Sequence, residues 1–165
     1  MKIIYNLKFK IYNSGFTLIE LLVVISVIGI LAALSLVSFS AAQKQARDTQ
    51  RKSDIKQYQT ALEGYANVNN EFYPSRTSST LASTTLCTDL VMTNCPADPR
   101  YGTDSTYAYK YVSDGTGSGT KTATSYVLWS KLESSVYYWV VCSTGKSGTK
   151  AQSGWADPTN GECPI

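Results

Sequence analysis

The chain has 165 residues, a formal net charge of +3 from fifteen basic and twelve acidic side chains, and no histidine. The missing imidazole removes the commonest general base and transition-metal ligand, which weighs against an enzyme. Lys2, Lys8 and Lys10 carry the whole imbalance: the rest has twelve basic and twelve acidic residues, and no basic patch with interleaved aromatics calls for nucleic acid.

Residues 1–13 are basic with scattered apolar side chains. Residues 16–39 then form an apolar run of about 24 residues, about 36 Å long as a helix and enough to cross a hydrocarbon layer of about 30 Å. Ser38-Phe39-Ser40-Ala41 could pass for a signal-peptidase site, but the run exceeds the apolar core of a secretory signal. Lysines and arginines flank both ends, so the positive-inside rule alone does not orient the span. Cys87, Cys95, Cys142 and Cys163 all lie beyond it. An even count there favours an oxidising compartment and places the C-terminal part outside the cytoplasm. Four cysteines allow three pairings. Cys87–Cys95 with Cys142–Cys163 is preferred because both bonds close local loops, and the spacing is not that of a zinc site.

The helix is expected to continue past the span to about Tyr65, with Ile55, Tyr58, Leu62 and Tyr65 as one stripe. Lys44/Asp48 and Asp48/Lys52 read as i,i+4 pairs on a solvated face. Tyr73 before Pro74 ends the helical region. Residues 75–88 read as a loop, and 95–99 as a proline-punctuated turn. Alternating Tyr107, Tyr109 and Tyr111 predict a half-buried strand; 125–133 and 136–142 predict two more. Residues 113–125 read as a flexible connection, and 143–165 as a tail stapled by Cys163. Trp129, Trp139 and Trp155 read as core or surface aromatics. No internal repeat is evident. The expected fold class is α+β: a long N-terminal helix on an antiparallel sheet of three or four strands. The expected division is a leader at 1–15, a membrane-spanning helix at 16–39 and an extracytoplasmic head at 40–165.

Glu20 is the one ionisable residue in the apolar run. A carboxylate at such depth is costly and tends to find a partner or mark function. Cleavage after Gly15 would supply one: the new α-ammonium of Phe16. Paired with Glu20 of a neighbouring helix, it would set axial register, which buried ion pairs do more credibly than they stabilise.

Gly15-Phe16-Thr17-Leu18-Ile19-Glu20, behind a basic leader and ahead of an unbroken apolar run, resembles the class III signal of type IV pilins and type II secretion pseudopilins. The segment from Arg51-Lys52-Ser53-Asp54-Ile55 to Phe72-Tyr73-Pro74 is similar to the same group, and 95–133 more loosely so. The resemblance implies a pilin-like fold. It implies cleavage after Gly15 and N-methylation of Phe16 by a membrane prepilin peptidase. It also implies an inner-membrane protein with a cytoplasmic N-terminus before processing. The chain would then assemble into a helical homo-oligomeric filament, with minor pilins and an inner-membrane assembly platform as partners. That filament would be a cell-surface pilus or a periplasmic pseudopilus. Many such pilins carry a proline midway along the membrane helix; residues 34–38 have none here. Major pseudopilins often bind calcium through an acidic loop. The acids available, Asp98, Asp104, Asp114 and Asp157, lack a compact ligand spacing and read as turn formers, so no cofactor is expected beyond that weak calcium candidacy. A membrane-anchored binding domain that never polymerises leaves Gly15 and Glu20 unexplained. A secreted enzyme conflicts with the long apolar run and the missing histidine.

Overall fold

The computed structural model describes residues 15–165, so the expected leader, apart from Gly15, lies outside the described residues. The chain divides into two compact units, Met1–Ser40 and Ala41–Ile165. Helix α1, Leu18–Val68, contributes to both.

In the first unit α1 is apolar on every side, and side chains from Leu18 and Ile19 to Leu31 and Leu34 are exposed. It is long and apolar enough to cross a membrane, by length and composition. The Ser26 hydroxyl donates to the Val23 carbonyl at 2.7 Å, so its polarity is met within the helix.

In the second unit α1 buries Asp48, Arg51, Asp54, Ile55, Tyr58, Leu62 and Ala66, the three-and-four spacing that puts side chains on one helix face. The stripe expected through Ile55, Tyr58 and Leu62 continues into Ala66 rather than Tyr65, which is only half-buried. The helix also runs past Tyr65 to Val68. It ends where Asn70 and Glu71 take positive φ, 55° and 66°, and the Glu71 N–H donates back to the Ala66 carbonyl at 2.9 Å.

Two antiparallel sheets follow. Strands β1 (Tyr73–Arg76) and β4 (Ser118–Ala123) pair with each other. Strands β2 (Thr80–Leu81), β3 (Lys110–Ser113), β5 (Tyr126–Lys131), β6 (Tyr137–Cys142) and β7 (Ser147–Ala151) form the second sheet in the order β2-β3-β5-β6-β7. Helix and antiparallel sheet make the expected α+β arrangement. The strands are more numerous than expected because three polar segments join. The supposed connection at 113–125 contains β4, the tail contains β7, and the loop at 75–88 contains β2, a π-helical turn Ala82–Leu86 and the start of the short helix α2, Cys87–Asp89. Hydrogen bonding to a neighbour, not apolar alternation, makes these segments strands. Of the three alternating tyrosines only Tyr111 lies in β3; Tyr107 and Tyr109 precede it.

Alternation along the strands builds a core on each sheet face. Tyr111, Tyr126, Leu128 and Val141 join Ile55, Tyr58 and Leu62 of α1. Burying each such aliphatic side chain is worth about 1.5–3 kcal/mol. Five tyrosines sit here with every hydroxyl bonded. Tyr58 donates to the Pro96 carbonyl, Tyr109 to Asp54 and Tyr111 to the Pro74 carbonyl, each at 2.7 Å. Tyr73 and Tyr126 both donate to Glu63, at 3.0 and 2.8 Å. On the opposite face Val112, Val127, Trp129, Val140 and Cys142 are covered by Trp155, Cys163 and Ile165. Trp155 stacks on Tyr138, with centroids 4.3 Å apart. The cysteines pair as Cys87–Cys95 and Cys142–Cys163, both with Cα atoms 5.7 Å apart. The second bond ties the C-terminal segment over the outer sheet face.

Candidate functional site

Gly15 and Phe16 precede α1, and Phe16 is 86% exposed. Thr17 caps the helix: its carbonyl accepts the Leu21 N–H at 3.3 Å. Glu20 Oε2 accepts the Thr17 N–H at 2.8 Å and the Thr17 hydroxyl at 2.6 Å, while Thr17 Oγ1 accepts the Glu20 N–H at 3.3 Å. This is the reciprocal Thr-x-x-Glu capping box, in which cap and carboxylate satisfy each other's unpaired N–H groups. The acid that looks misplaced in the apolar run is therefore held in the first turn, where the positive end of the helix dipole favours a negative charge. The spacing Thr17-x-x-Glu20 is legible in the sequence as a cap signature. Its position beside the expected Phe16 amine gives Glu20 two competing partners, one within its own helix and one beyond it.

The second unit holds a charge cluster that the sequence reading did not identify. Arg51 is fully buried. Its Nε donates to Asp98 Oδ2 at 2.6 Å and its Nη2 to Asp98 Oδ1 at 2.9 Å. Its Nη1 reaches Asp48 at 2.7 Å and Glu133 at 3.4 Å. Asp48 also accepts the Glu133 and Ser134 N–H groups, both at 2.8 Å, and the Ser134 hydroxyl at 2.6 Å. Glu133 takes two bonds from Arg47, at 2.7 and 2.6 Å, and one from Arg100 at 3.2 Å. Asp48 thus pairs one turn along the helix with Arg51 and across the fold with the β5–β6 turn, not with Lys44 or Lys52. The charged face read as solvated is, at Asp48, Arg51 and Asp54, the buried seam between α1 and the rest of the unit. The only sequence signal was position: 48, 51 and 54 share the face of Ile55 and Tyr58.

These contacts govern the charge states. The Arg47 hydrogen bond, opposed by burial and aided by the charges of Arg47, Arg51 and Arg100, holds the Glu133 carboxyl down to about 2. Burial works against charge on Asp48, but the hydrogen bonds from Ser134, Glu133 and Arg51 outweigh it and keep that carboxyl below its ordinary range. Asp54 goes the other way: burial pushes it up, against the Tyr109 hydroxyl bond, and the nearby Asp98 adds to the rise. All four arginines of the chain hold carboxylates, the remaining one, Arg76, gripping Asp89 at 2.6 Å.

The calcium candidates are each engaged elsewhere. Asp98 holds Arg51, Asp104 accepts the Thr106 N–H and hydroxyl, and Asp114 accepts from Thr124 and Ser125. Asp157 takes Lys110, Ser79 and Trp155. Among the described residues no group of three or more His, Cys, Asp or Glu is placed to hold a metal ion.

A family model described as "Prokaryotic N-terminal methylation motif" matches residues 11–36, the segment containing Gly15, Phe16 and Glu20. The chain carries a prokaryotic N-terminal methylation motif. Beyond the motif, the chain is 46% identical over 63 residues to the type II secretion system core protein G of Pseudomonas aeruginosa, covering 38% of this chain and 44% of that protein. It is 38% identical over 58 residues to the type IV major pilin protein PilA of Myxococcus xanthus, covering 35% of this chain and 26% of that protein. The chain thus spans less than half the length of either relative. No solved structure gives a significant match.

Proposed function

We propose that the chain is a structural subunit of a type IV pilus or pilus-like filament. The observation that carries this reading is the methylation motif set at the head of a helix that is apolar all round. Residues 1–15 are the leader, 16–39 the membrane anchor and later filament core, and 40–165 the head. The precursor sits in the inner membrane with its N-terminus cytoplasmic. A prepilin peptidase cleaves after Gly15 and methylates Phe16. An inner-membrane platform then assembles the subunit with further copies and with minor pilins. In assembly the new Phe16 ammonium pairs with Glu20 of a neighbouring copy. The capping box supports this pairing because it uses Oε2 alone and holds the carboxylate one turn from the new terminus.

The higher identity to the secretion core protein favours a second reading, a pseudopilus subunit of a type II secretion system. Mass spectrometry of the mature N-terminus tests both readings against a plain anchor: methylated Phe16 is expected, and an intact Met1 would overturn them. Glu20→Ala should be inserted and processed yet fail to assemble; normal filament yield would remove the ion pair. Deleting the gene separates the two readings: loss of surface filaments marks a pilus, and loss of protein export without loss of filaments marks a pseudopilus.

A further inference from the structure

Each outer strand of the two sheets meets water in a different way. β2 is two residues long. β1 contains Pro74, which has no N–H to offer a new strand. β4 is flanked by its own preceding loop: a Cβ on Gly115 would lie 2.8 Å from Ala123 N, and the Thr116 carbonyl accepts the Thr120 and Thr122 hydroxyls. β7 has β6 on one side and, among the described residues, no strand on the other. Five residues of open backbone are enough to template another strand.

A short repeat, blurred by a one-residue shift between its copies, builds both β4 and β7. Residues 116–123 read Thr-Gly-Ser-Gly-Thr-Lys-Thr-Ala, and 144–151 read Thr-Gly-Lys-Ser-Gly-Thr-Lys-Ala. In each the first glycine takes positive φ in the turn, 88° at Gly117 and 81° at Gly145. In each the second glycine leaves room for a neighbour. A Cβ would come within 2.6 Å of Asp89 at Gly119 and 3.3 Å of Ile165 at Gly148. Both copies carry an exposed lysine after the shared Gly-Thr, Lys121 and Lys150, and β7 has a second at its turn, Lys146. Among the described residues none of the three has an ion-pair partner. The arginines of this unit are all spent on carboxylates, so these lysines are charges left for the surface.

We propose that Lys150, with Lys146, keeps β7 single by repelling strand addition from a second copy of this chain. Antiparallel pairing of β7 with itself across a two-fold axis is self-complementary, so a second copy fits the open ladder. It is also the partner at highest local concentration wherever copies share a bilayer. Such pairing would set the Lys150 side chains of the two copies on one face at diagonal positions, about 7–8 Å apart, where like charges oppose the ladder. The paired lysines act at the one long edge that neither length, proline nor a covering loop protects.

The test uses the full chain in detergent micelles and so does not depend on filament assembly. Sedimentation of the Lys146→Thr/Lys150→Thr variant should show the self-association constant raised about tenfold, the scale that removing a few like-charge contacts supplies. Amide hydrogen exchange should slow across residues 147–151 in the associated species. Lys146→Arg/Lys150→Arg should sediment as the parent chain does, and Lys44→Thr, which removes a charge away from the edge, should too. Circular dichroism checks that each variant is folded. A variant that sediments unchanged, associates without protection at 147–151, or is matched by Lys44→Thr would overturn the proposal.

Discussion

The Arg51 guanidinium grips the Asp98 carboxylate through two bonds of 2.6 and 2.9 Å, with both side chains fully withdrawn from solvent. The pair joins α1 to the turn after Pro96, and through Asp48 and Glu133 it also holds the β5–β6 turn. Arg51→Met should therefore cost about 3–5 kcal/mol, because it strands buried carboxylates. Arg51→Lys should recover little, since one ammonium cannot reproduce the fork. Urea unfolding followed by tryptophan fluorescence reads both, and a loss below about 1 kcal/mol for Arg51→Met would refute the clamp.

The same cluster sets an acid limit. Glu133 has its folded pKa lowered, so its contribution is complete above the ordinary glutamate range and drains away as pH falls from about 4.5 towards about 2. Asp48 acts in the same direction. Asp54, raised by burial, acts oppositely and costs stability as pH rises through the carboxylate range. Glu133→Gln should flatten the fall in melting temperature between pH 4.5 and 2. An unchanged acid profile would show that Glu133 does not carry it.

Val91 takes φ 54° while 85% exposed, in the loop closed by Cys87–Cys95. A β-branched residue in left-handed backbone is strained and here has little packing to compensate. Val91→Gly should raise stability by about 1 kcal/mol, read as a higher melting temperature.

Replacing Cys142 and Cys163 by serine should cost about 3 kcal/mol from the opened loop. It should also loosen the segment covering Trp129 and Val140. Dye binding to the bared face, with a red shift of tryptophan emission, checks this. The shorter Cys87–Cys95 loop should give a smaller loss and no such exposure.

The long helix and its stripe were legible because apolar spacing reports directly on which face is buried, and Ile55, Tyr58 and Leu62 are buried where that spacing puts them. β5 and β6 were legible for a similar reason, being rich in β-branched and aromatic residues. β4 and β7 were not, because Ser-Gly-Thr-Lys looks like a linker until a neighbouring strand supplies its hydrogen bonds. The Arg51 cluster was hidden by a different effect. Charge in a sequence reads as surface, and only tertiary contact between Asp98, Glu133 and α1 makes burial tolerable. Glu20 stood out as an anomaly, yet its nearest answer lay three residues back, in Thr17.

The division between arginines that all clamp carboxylates and a subset of lysines that face water gives the second unit two chemically separate sets of cations. Amine-directed dyes and cross-linkers can decorate Lys44, Lys121, Lys146 and Lys150 without disturbing a single guanidinium contact, so the folded second unit can be tagged for microscopy or proximity mapping. Guanidinium-directed reagents have no such access at Arg51, and their reaction there would report unfolding.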